Sequence, residues 1–386
     1  MKLSRTAALL ALLALPPLAT MSQSALAQVK IGVISSATGA MTAIGRPHEN
    51  AASLLPRRVG DLTVDYIVYD DASDIAQTQA LVKKLINQDH VDAIIGPTGS
   101  PNALAVIPLV AEAHVPLMAP VGASTVVLPM DEQKRWVFKT TPNDHLVVEA
   151  LIGHMRKNGV HSVALMAYGD AYGERWTAEF SAQAQGAGIR LATLEHYRAN
   201  TPVDAETARL MAARPDAVLI IGTGISALAP HVALVDLGFK GAIYHTHGAT
   251  SMEFVRLGDK KVVGALMAAS PLLALNEMSD GNPSKALARG YVTAYERRIG
   301  TKAVTFGANV YDGGLLLHKA IPVAAQRAKP GTVEFRNALR DALERTRDFP
   351  GTQGVFNMSP EDHSGLDKRS RVMLVIRDHG WHLAGE

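Results

Sequence analysis

The stretch Val91-Asp92-Ala93-Ile94-Ile95-Gly96-Pro97-Thr98-Gly99-Ser100-Pro101-Asn102 decides how this chain folds. Val91–Ile95 is almost continuously apolar, which suits a parallel strand covered on both faces. Gly96 and Gly99 then let the backbone turn sharply. Ser100 reads as the N-cap of a helix and Pro101 as its first residue. A short strand, a tight loop and a well-started helix make half of a βαβ unit.

The same unit recurs in both directions. Strand-like runs occupy Val29–Ile34, Leu62–Tyr69, Val115–Ala119, Trp136–Lys139, Ser162–Ala167, Ile189–Leu194, Ala217–Ile221, Ala242–Tyr244, Val262–Met267 and Arg371–Ile376. Helical periods lie between them, at Ala76–Gln88, Asn102–Ala113, His145–Asn158, Glu174–Gln185 and Ala227–Leu237. In Ala76–Gln88, Leu81/Leu85 and Val82/Ile86 repeat at i, i+4 while Lys83 and Lys84 stay polar. The alternation predicts an α/β fold with parallel sheets, and the length predicts two domains. The rhythm breaks late, with helices at Ser284–Ile299, Val310–Arg327 and Val333–Thr346. Gly351-Thr352-Gln353-Gly354 follows as a hinge-like stretch, and Asp378-His379-Gly380 turns a closing hairpin to Trp381–Leu383.

Residues 1–27 read as an export signal. Lys2 and Arg5 precede the apolar run Ala7–Leu15, and Ala25-Leu26-Ala27 has the small-x-small form of a cleavage site. The run is shorter than the ~20 apolar residues a membrane span needs, so no membrane anchor is expected after cleavage. Export from the cytoplasm is expected. The signal carries two of the 38 basic residues and none of the 36 acidic ones, so the remainder is formally neutral. Nothing in that balance points to nucleic acid. The absence of cysteine rules out disulfides, thiolate metal sites and a lipidated cysteine.

Ligands of open parallel sheets bind beyond the carboxyl ends of the strands. The loop holding Ser100 offers a hydroxyl and a positive helix end, which suit a carboxylate as well as they suit a plain capped helix. Pro120-Val121-Gly122-Ala123-Ser124-Thr125 has the same character, and two such loops on neighbouring strands could grip both oxygens of one carboxylate. After Ser162–Ala167, Asp170 could cap the next helix and Tyr172 would stand clear beside Gly173; a packed tyrosine is the alternative. Gly222-Thr223-Gly224-Ile225-Ser226-Ala227 matches a dinucleotide fingerprint, but no acid follows the next strand to take a ribose hydroxyl. His245-x-His247 could be half of a metal site, with His231 a distant third ligand. Asp70, Asp71 and Asp74 need only a helix start to explain them. No phosphate loop, nucleophile elbow or zinc-protease motif occurs, so no enzyme activity and no cofactor are expected.

Several stretches, in this order, resemble one family. They are Val29-Lys30-Ile31-Gly32-Val33, Tyr69-Asp70-Asp71-Ala72-Ser73-Asp74, Val91–Pro97, Ala171-Tyr172-Gly173, Pro215-Asp216-Ala217-Val218 and Gly354-Val355-Phe356 with Gly365. The chain resembles the leucine/isoleucine/valine-type solute-binding proteins of ABC importers, which have the type I periplasmic binding fold. The resemblance implies two Rossmann-like lobes joined by a three-crossover hinge, closing on a small carboxylate ligand that is passed to a membrane permease. Lobe 1 is then 28–142 plus 272–351, and lobe 2 is 143–271 plus 352–386. It further implies that Ser100, Gly122, Ala123 and Ser124 hold the carboxylate and that Tyr172 closes over it. Thr223, His247 and Phe306 fall at other positions that line the family's site. His247 stands where leucine-type members have an acid for the ligand's ammonium. A ligand without an α-amino group is therefore expected, unless a neighbour such as Glu174 takes that role. Two other outputs stay open: a periplasmic sensor for a membrane receptor, and an oxidoreductase using Gly222–Ala227.

Overall fold

A computed structural model describes residues 28–198 and 201–385; the expected signal lies outside them. Two sheets form the framework. The first has the order β2-β3-β1-β4-β5-β6, with β1 (Gln28–Ser35), β2 (Arg58–Val59), β3 (Leu62–Asp70), β4 (Ala93–Ile95), β5 (Leu117–Ala119) and β6 (Val137–Lys139). The second has the order β15-β14-β11-β10-β9-β7-β8. Its strands are β7 (Ser162–Tyr168), β8 (Arg190–Tyr197), β9 (Ala217–Ile221), β10 (Ala242–His245), β11 (Leu266–Ala269), β14 (Val372–Arg377) and β15 (Gly380–Leu383). A small hairpin, β12 (Phe349–Pro350) and β13 (Val355–Phe356), stands apart from both. The sheets pair in parallel except at edges, where β2 joins β3, and β14 joins both β11 and β15, antiparallel.

Helices cover both faces of each sheet, so the strands are buried and continuously apolar, as parallel pairing requires. α1 (Thr42–Ala52), α2 (Ile75–Asn87) and α3 (Ser100–Glu112) pack on the first sheet. α4 (Asp144–Lys157), α5 (Ala171–Gly186), α6 (Asp204–Ala212), α7 (Leu228–Asp236) and α8 (Met252–Gly258) pack on the second. α9 (Lys285–Ile299), α10 (Thr305–Ala325) and α11 (Val333–Glu344) return to the first lobe. There Tyr291, Leu316, Leu317 and Leu339 share a core with Val29, Ile31 and Ile95.

The chain passes between lobes three times: from β6 to α4, from β11 to α9, and before β14. The third passage is later than the position 351 expected from sequence. Phe356, Met358 and Leu366 belong to the first lobe's core, and Lys139 N donates to His363 O at 2.8 Å. Gly351–Gly354 is a hairpin turn, closed by Gly351 N to Gly354 O at 2.8 Å. Thr352 N staples it to Asp312 of α10 at 2.7 Å. Its glycines serve a tight turn and not a hinge.

The lobes are closed. Ile44 of α1 and Phe306 of α10 both belong to the second lobe's core cluster, with Val218, Ile220 and Phe254.

Candidate functional site

The site lies between the lobes, at the carboxyl ends of β4, β5, β7, β9 and β10. In each sheet the strand order reverses there, between β1 and β4 and between β7 and β9, which is where open α/β sheets bind ligands. Ser100, Gly122, Tyr172, Thr223, His247 and Phe306 line one small cavity. Ala123 and Ser124 do not.

On the first-lobe side, Gly99 is the N-cap of α3, with Ser100 and Pro101 its first and second residues. This is one position off the sequence expectation. Ser100 Oγ accepts from Ala123 N at 3.3 Å, so its proton is left to donate. The first turn of α3 also has amides without intrahelical partners, and its dipole favours an anion. Thr98, beside Ser100, is tied down by Ser36 N at 2.8 Å and by His48 Nδ1 at 3.2 Å. Burial lowers the His48 pKa to about 3.

The second loop corrects the expectation. Ser124 N lies 3.1 Å from both oxygens of Asp144, and Ser124 Oγ donates to Asp144 Oδ2 at 2.8 Å. Arg175 Nε reaches the same oxygen at 2.9 Å and Ser124 Oγ at 3.0 Å. Its other end pairs with Glu179 at 2.5 Å. The amide and hydroxyl of Ser124 do grip a carboxylate, but it is the protein's own. The Ala123 amide is spent on Ser100. Sequence reading missed Asp144 and Arg175 because they meet Ser124 from 20 and 51 residues away.

On the second-lobe side, Asp170 caps α5 by accepting from Gly173 N at 2.9 Å. That start orients Tyr172 across the cleft, where it is 3 % exposed. Tyr172 OH donates to Thr246 Oγ1 at 2.7 Å, and Thr246 Oγ1 donates to Gly222 O at 3.2 Å. Burial raises the Tyr172 pKa, so the phenol stays neutral. Across the cleft only glycine fits opposite it. A Cβ on Gly122 would lie 2.5 Å from Tyr172 Cε2 and 3.1 Å from His247 Nε2.

His247 packs against Trp176 and, edge-on, against Tyr172, with ring centroids 5.4 and 6.3 Å away. Its pKa is lowered to about 4, first by burial and then by the Lys139 ammonium, with Asp144 opposing. His247 is therefore neutral at physiological pH, and its buried Nδ1 has no hydrogen-bond partner among the described residues. Lys139 itself is fully buried, donating to Thr141 O at 3.1 Å and Pro142 O at 2.5 Å. Burial lowers its pKa to about 8.

The two histidines two residues apart face different partners. His245 Nε2 meets His231 Nδ1 at 2.9 Å, and His231 Nε2 meets Lys261 O at 2.9 Å. Since His231 must donate to that carbonyl, its Nδ1 accepts and His245 Nε2 donates. This is a packed relay of neutral rings, separate from His247. No metal-holding group of three or more His, Cys, Asp or Glu occurs among the described residues.

Thr223 caps the 3₁₀ turn Gly224–Ala227 reciprocally with Ser226. A Cβ on Gly222 would meet Tyr197 OH at 2.1 Å, so the close approach allowed by this glycine is to a tyrosine. Phe306 sits in the first turn of α10, which begins at Thr305 and not at Val310 as expected.

Several lining positions escaped sequence reading, Thr141, Gly248 and Asn309 among them. Met41 and Ile44 come from the start of α1, a helix masked by Gly45 and Pro47. Asp170, read only as a cap, also faces the cavity, whereas Glu174 is exposed and lines a separate groove.

A family model described as "Periplasmic binding protein" matches residues 28–378. An extracellular ligand-binding receptor from Rhodopseudomonas palustris HaA2 is 37% identical, with TM-score 0.90, covering 93% of this chain and 100% of that one. The leucine binding protein LivK from Thermotoga maritima shares the fold at 23% identity and TM-score 0.81, covering 92% and 98%. LivJ from Streptococcus pneumoniae, solved with isoleucine, does so at 18% and 0.77, covering 92% and 99%. Human taste receptor type 1 member 1 is 28% identical over 158 residues, which span 37% of this chain and 18% of that protein.

Proposed function

This chain belongs to the periplasmic binding protein family, and from that premise we propose that it captures a small carboxylate-bearing solute between its closing lobes for the permease of an ABC importer. In this reading it works in the periplasm after losing residues 1–27. The observation that carries the reading is the convergence of Ser100, at the positive end of α3, with Tyr172 and neutral His247 from the other lobe. Ser100 and neutral His247 meet the carboxylate from opposite lobes. Phe306, Met41 and Ile44 supply the apolar wall.

A second reading, an α-amino acid, is favoured by Asp170. Its carboxylate caps α5 and also lines the cavity, where an ammonium could meet it. A thermal-shift screen of leucine against 4-methylpentanoate, its amine-free counterpart, with benzoate alongside, separates the two. A ligand at 100 times Kd adds about 2.7 kcal/mol of stability. Leucine alone shifting the melt favours Asp170, and Asp170→Asn, which keeps the cap, then abolishes the shift. Ser100→Ala weakens whichever acid binds by roughly ten- to a hundredfold, the worth of a hydrogen bond to a charged group. Unchanged affinity in Ser100→Ala overturns the carboxylate assignment.

A further inference from the structure

The cavity around Ser100 and His247 is only about 50 Å³, room for about three or four water-sized groups. That holds a carboxylate head and little more. Beside it lies a second chamber of about 520 Å³, within the ~300–1,000 Å³ typical of whole small-molecule sites. Met41, Ile44, Pro101 and Thr223 line both. The outer chamber also lies between the lobes, with Ile75 of the first facing it opposite Ile225 of the second.

Those two isoleucines are 44% and 43% exposed. Single exposed apolar side chains are ordinary, but these two line the same chamber from opposite lobes. Neither is asked for by its own element. Ile75 opens α2, where a polar or acidic residue would suit the helix end, and Ile225 sits inside a 3₁₀ turn. Their common surface is the chamber that shares Met41, Ile44, Pro101 and Thr223 with the head-group cavity.

We propose that the solute is a carboxylic acid with an extended apolar body, its head at Ser100 and its body in the outer chamber between Ile75 and Ile225. This rests on the carboxylate reading above and specifies its ligand class. The occupant is an acid with about six or more carbons beyond the carboxylate, larger than a branched-chain side chain. Asp170, which lines both chambers, stands at the junction. A 2-amino group there is compatible with the same body.

The test is calorimetric titration of the purified protein with unbranched acids from butanoate to decanoate, and with their 2-amino counterparts. Affinity should tighten about three- to fourfold per added methylene until the chamber is filled. Ile75→Asp and Ile225→Asp should each weaken octanoate, or 2-aminooctanoate, at least tenfold. They should leave the four-carbon acid within twofold and the melting temperature of the free protein unchanged. Aspartate is favourable at the start of a helix, so the first variant keeps α2 intact. Affinity that stays flat or falls beyond four carbons, with short acids still bound through Ser100, overturns this inference and leaves the carboxylate reading standing. In that case the isoleucines are a rim that meets another protein. If no acid of any length binds, both fall.

Discussion

Replacing Gly122 by alanine should hold the lobes apart. The glycine has an ordinary backbone conformation, so alanine acts there only through contact. Its Cβ would lie 2.5 Å from Tyr172 Cε2, where carbons prefer about 3.5–4.0 Å. The overlap is therefore about 1 Å or more. Tyr172 cannot swing aside, because it is 3 % exposed and its hydroxyl is held by Thr246 at 2.7 Å. Gly122 and Tyr172 belong to different lobes, so the cheapest relief is to rotate one lobe from the other. Overpacking of this kind costs about 1–3 kcal/mol, and here it falls on the closed state alone. Ligand affinity should drop roughly five- to 150-fold, while the free protein melts as before. Titration calorimetry measures the first effect. Small-angle scattering at saturating ligand measures the second, a larger radius of gyration than that of the wild-type complex. Affinity within twofold of wild type, with the same radius, would refute the idea that this glycine is required by closure.

Asp144→Ala should cost about 1–3 kcal/mol of unfolding free energy, because it leaves the buried Ser124 amide and hydroxyl without their acceptor and takes from Arg175 one of its two carboxylates. Urea denaturation reads this directly, and a loss under about 1 kcal/mol would mean the network is not what joins these elements. The pH dependence has a definite sign at His247, whose pKa falls from 6.5 unfolded to about 4 folded. The unfolded chain binds the extra proton, so the contribution is complete above pH 6.5 and is lost as pH drops through 4. It amounts to about 3 kcal/mol by pH 4. His247→Gln should shrink the acid-induced loss by about that amount in urea melts at pH 7 and 4. An equal loss in variant and parent would sink the assignment.

Much of this architecture was legible because its causes are local. The apolar run of Val91–Ile95, the glycines after it and the Ser-Pro helix start act within a few residues of one another, and β4 and α3 formed where they pointed. Where local signals conflicted, reading failed. Gly45 and Pro47 hid α1, and with it Met41 and Ile44. Gly351 and Gly354 look the same in sequence whether they serve a hinge or a hairpin turn, and the deciding contact, Thr352 to Asp312, spans 40 residues.

The candidate site divides along the same line. Residue type and strand-end position singled out Ser100, Gly122 and Tyr172, and the family resemblance added Thr223, His247 and Phe306; all six share one cavity. Ser124 had equal credentials, yet its donors face inward to Asp144 and Arg175. Composition sets what a loop can hold. Which carboxylate it does hold depends on what the fold brings opposite it, and a buried amide and hydroxyl take the partner already fixed within reach. Local sequence was enough for the α/β alternation, the strand-end loops and their taste for anions. Which loop was left for a ligand, and that a second chamber lies beside its cavity, depended on the tertiary structure, because both follow from contacts between lobes that no local pattern encodes.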